Sequence, residues 1–234
     1  MGKTVRKYTS KIVHCSQTIT SNLMAIVYPP RCLGCLKILS PGQHWCPDCW
    51  NAFSTALARE YCPTCAASLG PHQPVTSKDR CPNCKNKSLS IKRICRLCSY
   101  ENVPAKTIAR FKYDSVMYAG ISLSEMLAQA LLDQDWLEDI DTFCPIPIHW
   151  TRRLTRGFNQ AKIIADKISH ITQIPQINLL RRIRPTPQQV GLSAAQRAKN
   201  IKDAFRASTH WPLKDARICL VDDVMTTGST LYEA

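Results

Sequence analysis

Ten of the thirteen cysteines in this 234-residue chain fall into five Cys-x-x-Cys pairs, and that arrangement limits the fold more than any other feature. Cys32/Cys35 and Cys46/Cys49 are ten residues apart, and Cys62/Cys65 and Cys81/Cys84 are fifteen apart. A two-residue gap turns both sulfurs of a pair toward one ion, and two such turns complete the tetrahedron of thiolates that zinc prefers. Four pairs in series therefore predict two structural zinc sites, Cys32-Cys35-Cys46-Cys49 and Cys62-Cys65-Cys81-Cys84. Redox dithiols and iron–sulfur ligation are the competing readings. All-Cys zinc sites are closed to water, so these sites hold structure and do not catalyse.

The fifth pair, Cys95 and Cys98, lies inside Ile94–Tyr100, which reads as a strand. Residues three apart on a strand point to opposite faces. Both thiols then read as small buried hydrophobes, while a second register would join them to Cys81 and Cys84. Cys144 and Cys219 fall in strand patterns and Cys15 needs no special role.

The cysteine pattern also divides the chain. Residues 1–28 carry a loose helical pattern (Ile12, Ile19, Leu23, Ile26, Val27) ending at Pro29-Pro30, either a docking helix or a frayed terminus. Residues 29–90 read as a metal-stapled, loop-rich module, rich in turn formers and poor in core. From residue 91 to 234 the signals alternate between α and β. Besides Ile94–Tyr100, strands are predicted at Thr142–Ile148 and Arg217–Val221, and helices at Ser122–Leu132 and about 158–170. Alternation of this kind implies an α/β fold with a mostly parallel sheet and helices on both faces.

The last strand runs into Asp222-Asp223-Val224-Met225-Thr226-Thr227-Gly228-Ser229-Thr230, with a helix expected from about Thr230. Ligands of open α/β sheets sit beyond the carboxyl ends of the strands. Hydroxyls and backbone N–H groups at a helix start suit a phosphate, and Gly228 allows close approach. Asp222 and Asp223 suit two neighbouring sugar hydroxyls, or a magnesium ion held directly or through water. The plainer reading, a polar turn capping a helix, leaves the acidic pair unexplained. A Walker A loop is excluded, because no Gly-x-x-x-x-Gly-Lys occurs.

The formal charge is +14. Eight zinc-bound thiolates and two zinc ions bring it to about +10. Between Trp150 and Arg206 twelve Lys or Arg face only two acids, Asp166 and Asp203. Such a surplus favours anionic partners, phosphorylated small molecules or nucleic acid. No apolar run is long enough to span a membrane, and Lys11 interrupts the start where an export signal would need an apolar stretch. The chain is expected in the cytoplasm, without membrane insertion.

The strand-end segment resembles the signature of type I phosphoribosyltransferases. From about Pro29 onward the chain resembles the ComF (GntX-like) family of competence-associated proteins. The resemblance is carried by the paired cysteines, Pro145-Ile146-Pro147, Arg153, Arg156-Gly157-Phe158-Asn159-Gln160-Ala161 and Leu180–Gln189, with Leu192, Arg197 and Asn200. Lys112-Tyr113 matches the family's Lys-Tyr.

This resemblance implies a parallel-sheet type I phosphoribosyltransferase fold behind a small zinc-ribbon module, with 5-phosphoribosyl 1-diphosphate and Mg2+ as ligands. Asp222 and Asp223 would hold the ribose hydroxyls, and Thr226, Thr227, Gly228, Ser229 and Thr230 the 5-phosphate. Lys112 and Tyr113 would lie near the diphosphate, Arg153 and Arg156 would meet ligand phosphate, and Thr186 to Asn200 would form a flap. Two departures stand out. Asp114 brings a negative charge beside Lys112-Tyr113. The sequence also stops at Ala234, one turn into the helix after the loop, where the family fold continues, so a C-terminally truncated sheet lacking an edge is expected.

Two functional classes follow. One is a phosphoribosyltransferase, a glycosyltransferase that works by positioning and electrostatics. The other is a non-catalytic accessory of DNA uptake that binds single-stranded DNA or a helicase-like partner. A purely structural zinc scaffold would leave the acidic loop without a role.

Overall fold

The computed structural model describes residues 29–70, 80–86, 89–114, 116–187, 193–208, 211 and 213–234. The helical pattern read over residues 1–28 lies outside them. The first helix, α1 (Pro47–Leu57), begins inside the first cysteine cluster, with Pro47 at the position where a missing N–H costs nothing. Its buried face (Cys49, Phe53, Ala56) packs with Cys32, Cys46, Val103 and Leu123. The second cluster has a smaller apolar setting of Cys62, Cys81 and Cys84, with Cys65, Ala67, Leu69 and Leu89 at its margin. Here metal ligation must supply what burial cannot.

Helix α2 (Asn102–Tyr113) and helix α3 (Met117–Leu132) follow in close succession. Helix α3 starts five residues before the expected Ser122, because Ala119 and Gly120 are also buried. Strand β1 (Thr142–Pro145) is buried at all four positions, and Pro145 and Pro147 end the stretch expected to reach Ile148. The short helix α4 (Trp150–Arg156) buries no residue, and the amphipathic α5 (Gln160–Thr172) buries Ile164, Ala165 and Ile168. Strands β2 (Leu180–Arg182) and β3 (Phe205–Ala207) pair antiparallel around α6 (Ala194–Ile201). Strand β4 (Ile218–Val221) and helix α7 (Ser229–Glu233) close the order.

Strand β4 runs parallel to β1 in the register Thr142↔Ile218 to Pro145↔Val221. On its other side β1 makes a parallel bridge from Phe143 to Gln176. The carboxyl ends of β1 and β4 therefore point the same way, so the Pro145–Pro147 loop and the Asp222–Thr230 loop meet at one end. The chain is mixed α/β with a short parallel sheet and a cysteine module. The core gathers Phe111, Leu131, Phe143, Ile164, Ile168 and Val221 between β1, β4 and the helices α2, α3 and α5.

One expected strand is absent. Ile94–Tyr100 is irregular, because its polar groups are used by the ribbon. Ile94 N–H donates to Pro63 O, Arg96 N–H to the Tyr61 hydroxyl, and Ser99 N–H to Ala56 O. The Arg96 guanidinium reaches Ala66 O, Ser68 Oγ and Arg59 O, and lies 4.7 Å from the centre of the Tyr61 ring. With no ladder to join, Cys95 and Cys98 are half-buried thiols whose titration burial pushes up to about 11.

Gly120 shows how tightly the core is closed. A Cβ there would lie 2.3 Å from the Phe111 ring, which is 1% exposed and stacked on Phe158. Replacing a mid-helix glycine with alanine ordinarily adds up to ~1 kcal/mol. Here the ring has nowhere to go, so Gly120→Ala is expected to lower the denaturant midpoint by an amount equivalent to ~1–3 kcal/mol. An unchanged or higher midpoint would contradict this packing.

Candidate ligand site and metal centres

The four sulfurs of Cys32, Cys35, Cys46 and Cys49 lie within 4.8 Å of one another, as do those of Cys62, Cys65, Cys81 and Cys84. A tetrahedron with zinc–sulfur bonds of about 2.3 Å has sulfur–sulfur edges of about 3.8 Å. Cys35–Cys46 and Cys62–Cys84 are both 3.7 Å apart, Cys65–Cys81 3.6 Å and Cys81–Cys84 3.8 Å. Each cluster therefore fits one zinc ion. The backbone is arranged for thiolates as well. Burial pushes Cys32 up, but N–H groups of Cys46, Cys35 and Gly34 outweigh it and bring the thiol to about 6. Burial likewise raises Cys62, and the N–H groups of Thr64, Cys65 and Cys81 bring it to about 7. Cys49 and Cys65 are pushed upward by burial and by the thiols beside them. Four crowded thiols cannot all ionise until a cation replaces their protons. The second register, through Cys95 and Cys98, falls away because Cys81 and Cys84 close on Cys62 and Cys65.

The second candidate site lies at the carboxyl end of β4. Asp222 and Asp223 are half-buried, and the Asp223 N–H donates to Asp222 Oδ1 at 2.9 Å. Lys112, the penultimate residue of α2, brings Nζ to 2.6 Å from Asp223 Oδ2. Tyr113 beside it is 58% exposed, and the Arg156 guanidinium sits 5.3 Å from its ring centre. Arg153 lies exposed on α4, and among the described residues no side-chain contact brings it to the acidic pair. Asp114 follows Tyr113 as the residue that ends α2, its N–H given to Arg110 O.

Past the acids the chain turns through exposed Thr226 and Thr227 to Gly228, which has φ +77° and precedes α7. That left-handed backbone favours glycine, and a Cβ would also press on the Tyr232 ring at 2.5 Å. Thr227 Oγ1 and Ser229 Oγ are 2.8 Å apart, so two hydroxyls converge in the turn, with Thr230 next in the chain. Thr226 Oγ1 accepts from Arg197 Nη1 of α6 at 2.8 Å.

Residues of the Thr186–Asn200 segment close in from the side, with residues 188–192 outside those described. Arg152 Nη2 donates to Thr186 O at 2.8 Å and to Pro187 O at 3.0 Å, and Arg182 donates to the Thr186 hydroxyl. Burial, and then Arg152, lower the Arg182 guanidinium to about 10, while the Asp222 charge opposes the shift. Arg182 is thus a partly desolvated cation, held between the Thr186 hydroxyl and the Phe205 ring. In the sequence it is one of twelve Lys or Arg between Trp150 and Arg206, and only its place in a short strand separates it from the rest. The family-like run Arg156-Gly157-Phe158-Asn159-Gln160 proves structural in part. Gly157 ends α4 with φ +78°, Phe158 stacks on Phe111, and Asn159 Nδ2 ties to Ile146 O at 3.1 Å.

Asp222 is the strained member of the site. Burial raises its carboxyl, the Asp223 carboxylate raises it further, and Lys112 opposes only in part, leaving it near 8. A raised carboxyl contributes stability that is present at low pH and is lost as pH rises through that value. Asp222→Asn keeps the shape without the charge. It is therefore expected to melt higher than the parent chain by at least ~2 °C above pH 8, with a gap that shrinks toward about pH 6. A gap that is flat across this range, or reversed, would contradict the raised carboxyl.

The double zinc ribbon domain family matches residues 23–78. Competence protein F of Haemophilus influenzae is 30% identical over 210 residues, covering 87% of this chain and 86% of that protein. DNA utilization protein YhgH of Escherichia coli K12 is 28% identical over 215 residues (89% and 90%), and competence protein ComFC of Bacillus subtilis 21% over 209 (85% and 79%). No solved structure matches the chain. Similarity of this extent places the chain in the ComF family of competence-associated proteins.

Proposed function

We propose that the strand-end site binds 5-phosphoribosyl 1-diphosphate with magnesium, and that it serves DNA utilization of the kind named in the competence and YhgH relatives. The observation that carries this reading is the order of groups along one loop. Two adjacent carboxylates leave a parallel strand, and converging hydroxyls follow around a left-handed glycine. Carboxylates accept from neighbouring ring hydroxyls, and hydroxyls with backbone N–H groups surround a phosphate. The bottom of the site is acidic and its walls are cationic, with Lys112, Arg156, Arg182 and Arg197 around it. That polarity suits a ligand with sugar hydroxyls at its centre and phosphates at both ends.

For group transfer, the chain would act by placement and charge. Asp222 and Asp223 would orient the ribose and Thr226–Thr230 would fix the 5-phosphate. Lys112, moving from Asp223 to the diphosphate, would meet negative charge as the C1–oxygen bond breaks, diphosphate leaves and a nucleophilic acceptor bonds to C1. Asp222 and Asp223, directly or through water, would help hold the magnesium ion, which would supply neutralising charge for the departing diphosphate. The ionised Asp222 carboxylate is the stronger acceptor for a ribose hydroxyl, so affinity is expected to rise as pH passes about 8.

A second reading has its own observation. Trp150 and Leu154, at i and i+4 of α4, are 65% and 76% exposed, with Arg152, Arg153 and Arg156 on the same helix. An aromatic ring beside arginines is a platform for single-stranded nucleic acid.

Titration of 5-phosphoribosyl 1-diphosphate with magnesium into zinc-replete protein separates the two readings. The wild type is expected to bind, and Asp222→Asn/Asp223→Asn to lose at least about tenfold in affinity, equivalent to ~1.4 kcal/mol. Equal affinity in both proteins, or none in a folded wild type, contradicts the first reading. If Trp150→Ala/Arg156→Ala leaves salt-sensitive oligonucleotide binding unchanged, the second is contradicted.

A further inference from the structure

The Cys32-Leu33-Gly34-Cys35 turn does more than close a metal site. The Leu33 carbonyl, between two of the ligands, accepts from Arg110 Nη1 and, at 3.2 Å, shares the Thr107 hydroxyl proton with Val103 O at 2.9 Å, both donors lying on α2. Thr107 is fully buried and Leu33 is 3% exposed, so water does not compete for that oxygen. Contact is close on the apolar side too. A Cβ on Gly34 would lie 2.6 Å from Cys49 Sγ and 3.0 Å from Val103 Cγ1, so the turn rests directly on the start of α2.

The other end of the same helix carries Phe111, clamped against Phe158, and then Lys112, whose Nζ is 2.6 Å from Asp223 Oδ2. Five residues of helix separate Thr107 from Lys112, a rise of ~7.5 Å. A segment that short and that well packed carries a shift at one end to the other.

We propose that the first cysteine cluster is a positioning element of the strand-end site. Its metal fixes the Leu33 carbonyl, Thr107 and Arg110 fix α2 on that carbonyl, and α2 in turn holds Lys112 against Asp223. Without the ion nothing bonds the four sulfurs, which lie within 4.8 Å of one another, into one centre, so the turn is free to open and both hydrogen bonds lose their fixed acceptor. Loss of metal from the first cluster then loosens the acidic loop from the other end of α2. The expected effect on ligand affinity rests on the phosphoribosyl reading above, whereas the effect on loop order does not.

Two variants of the full chain test this. Cys35→Ser weakens the first cluster at its exposed ligand. Arg110→Met leaves all eight cysteines in place and cuts one contact to Leu33. Zinc per chain is measured for both, together with amide hydrogen exchange over residues 103–113, over 222–228 and, as a reference, over 160–172. Arg110→Met is expected to keep both zinc ions. In both variants exchange should speed up about tenfold over 103–113 and 222–228, while 160–172 changes less than about twofold. Faster exchange confined to 103–113, or no change in Arg110→Met with its zinc retained, overturns the proposal. Titration of 5-phosphoribosyl 1-diphosphate into Arg110→Met should show a matching loss of affinity. A wild type that does not bind sinks the ligand reading alone, and the exchange result still decides the coupling.

Discussion

The ion pair between Lys112 and Asp223 is the contact on which the arrangement at the sheet end depends. Its side chains are only 18% and 14% exposed, and a second carboxylate, Asp222, lies alongside. Two half-buried acids at the end of a strand repel each other and are poorly hydrated, so one fixed cation is needed to keep either ionised. That cation comes from a helix whose near end is seated on a cysteine turn. The zinc ribbon and the strand-end loop, 190 residues apart between Leu33 and Asp223, therefore meet through a single helix.

Ribbon and α/β body support each other in complementary ways. The ribbon around the second cluster has little apolar surface to bury, so metal ligation and the Arg96 hydrogen bonds to Ala66, Ser68 and Arg59 hold it. The α/β body has an ordinary core but a costly polar end. There several arginines are spent on local carbonyls and hydroxyls. Arg152 and Arg182 secure Thr186, Arg184 reaches the carbonyls of Asn200 and Lys202, and Arg197 reaches Thr226. The surplus positive charge is thus not one open surface. Part of it pins the segment over the site, and part, on α4, stays exposed with Trp150 and Leu154.

The features legible in the sequence were those with short-range rules. The two-residue gaps gave the cysteine sets, because both sulfurs of a turn must face one ion. The apolar run before Asp222 gave β4, and the spacing of Ile163, Ile164 and Ile168 gave α5. The failures have a common cause in long-range contacts. Ile94–Tyr100 has strand composition, but its N–H groups go to Ala56, Tyr61 and Pro63, more than thirty residues upstream. Helices α2 and α4 were not foreseen because the start of α2 is set by packing on the ribbon, and α4 has no buried face to produce a period. Lys112 was singled out by resemblance as a diphosphate neighbour. Its partner in the structure, Asp223, is visible only with α2 and β4 side by side.

The most direct test of this account is a double-mutant cycle on Lys112→Met and Asp223→Asn, read as unfolding free energy by denaturant titration of zinc-replete protein. If the pair joins α2 to the sheet end, the two substitutions are strongly non-additive, with a coupling of about 1–3 kcal/mol. Costs that add to within about 0.5 kcal/mol would mean that the contact holds nothing together, and that the ribbon and the strand-end loop are neighbours without being linked.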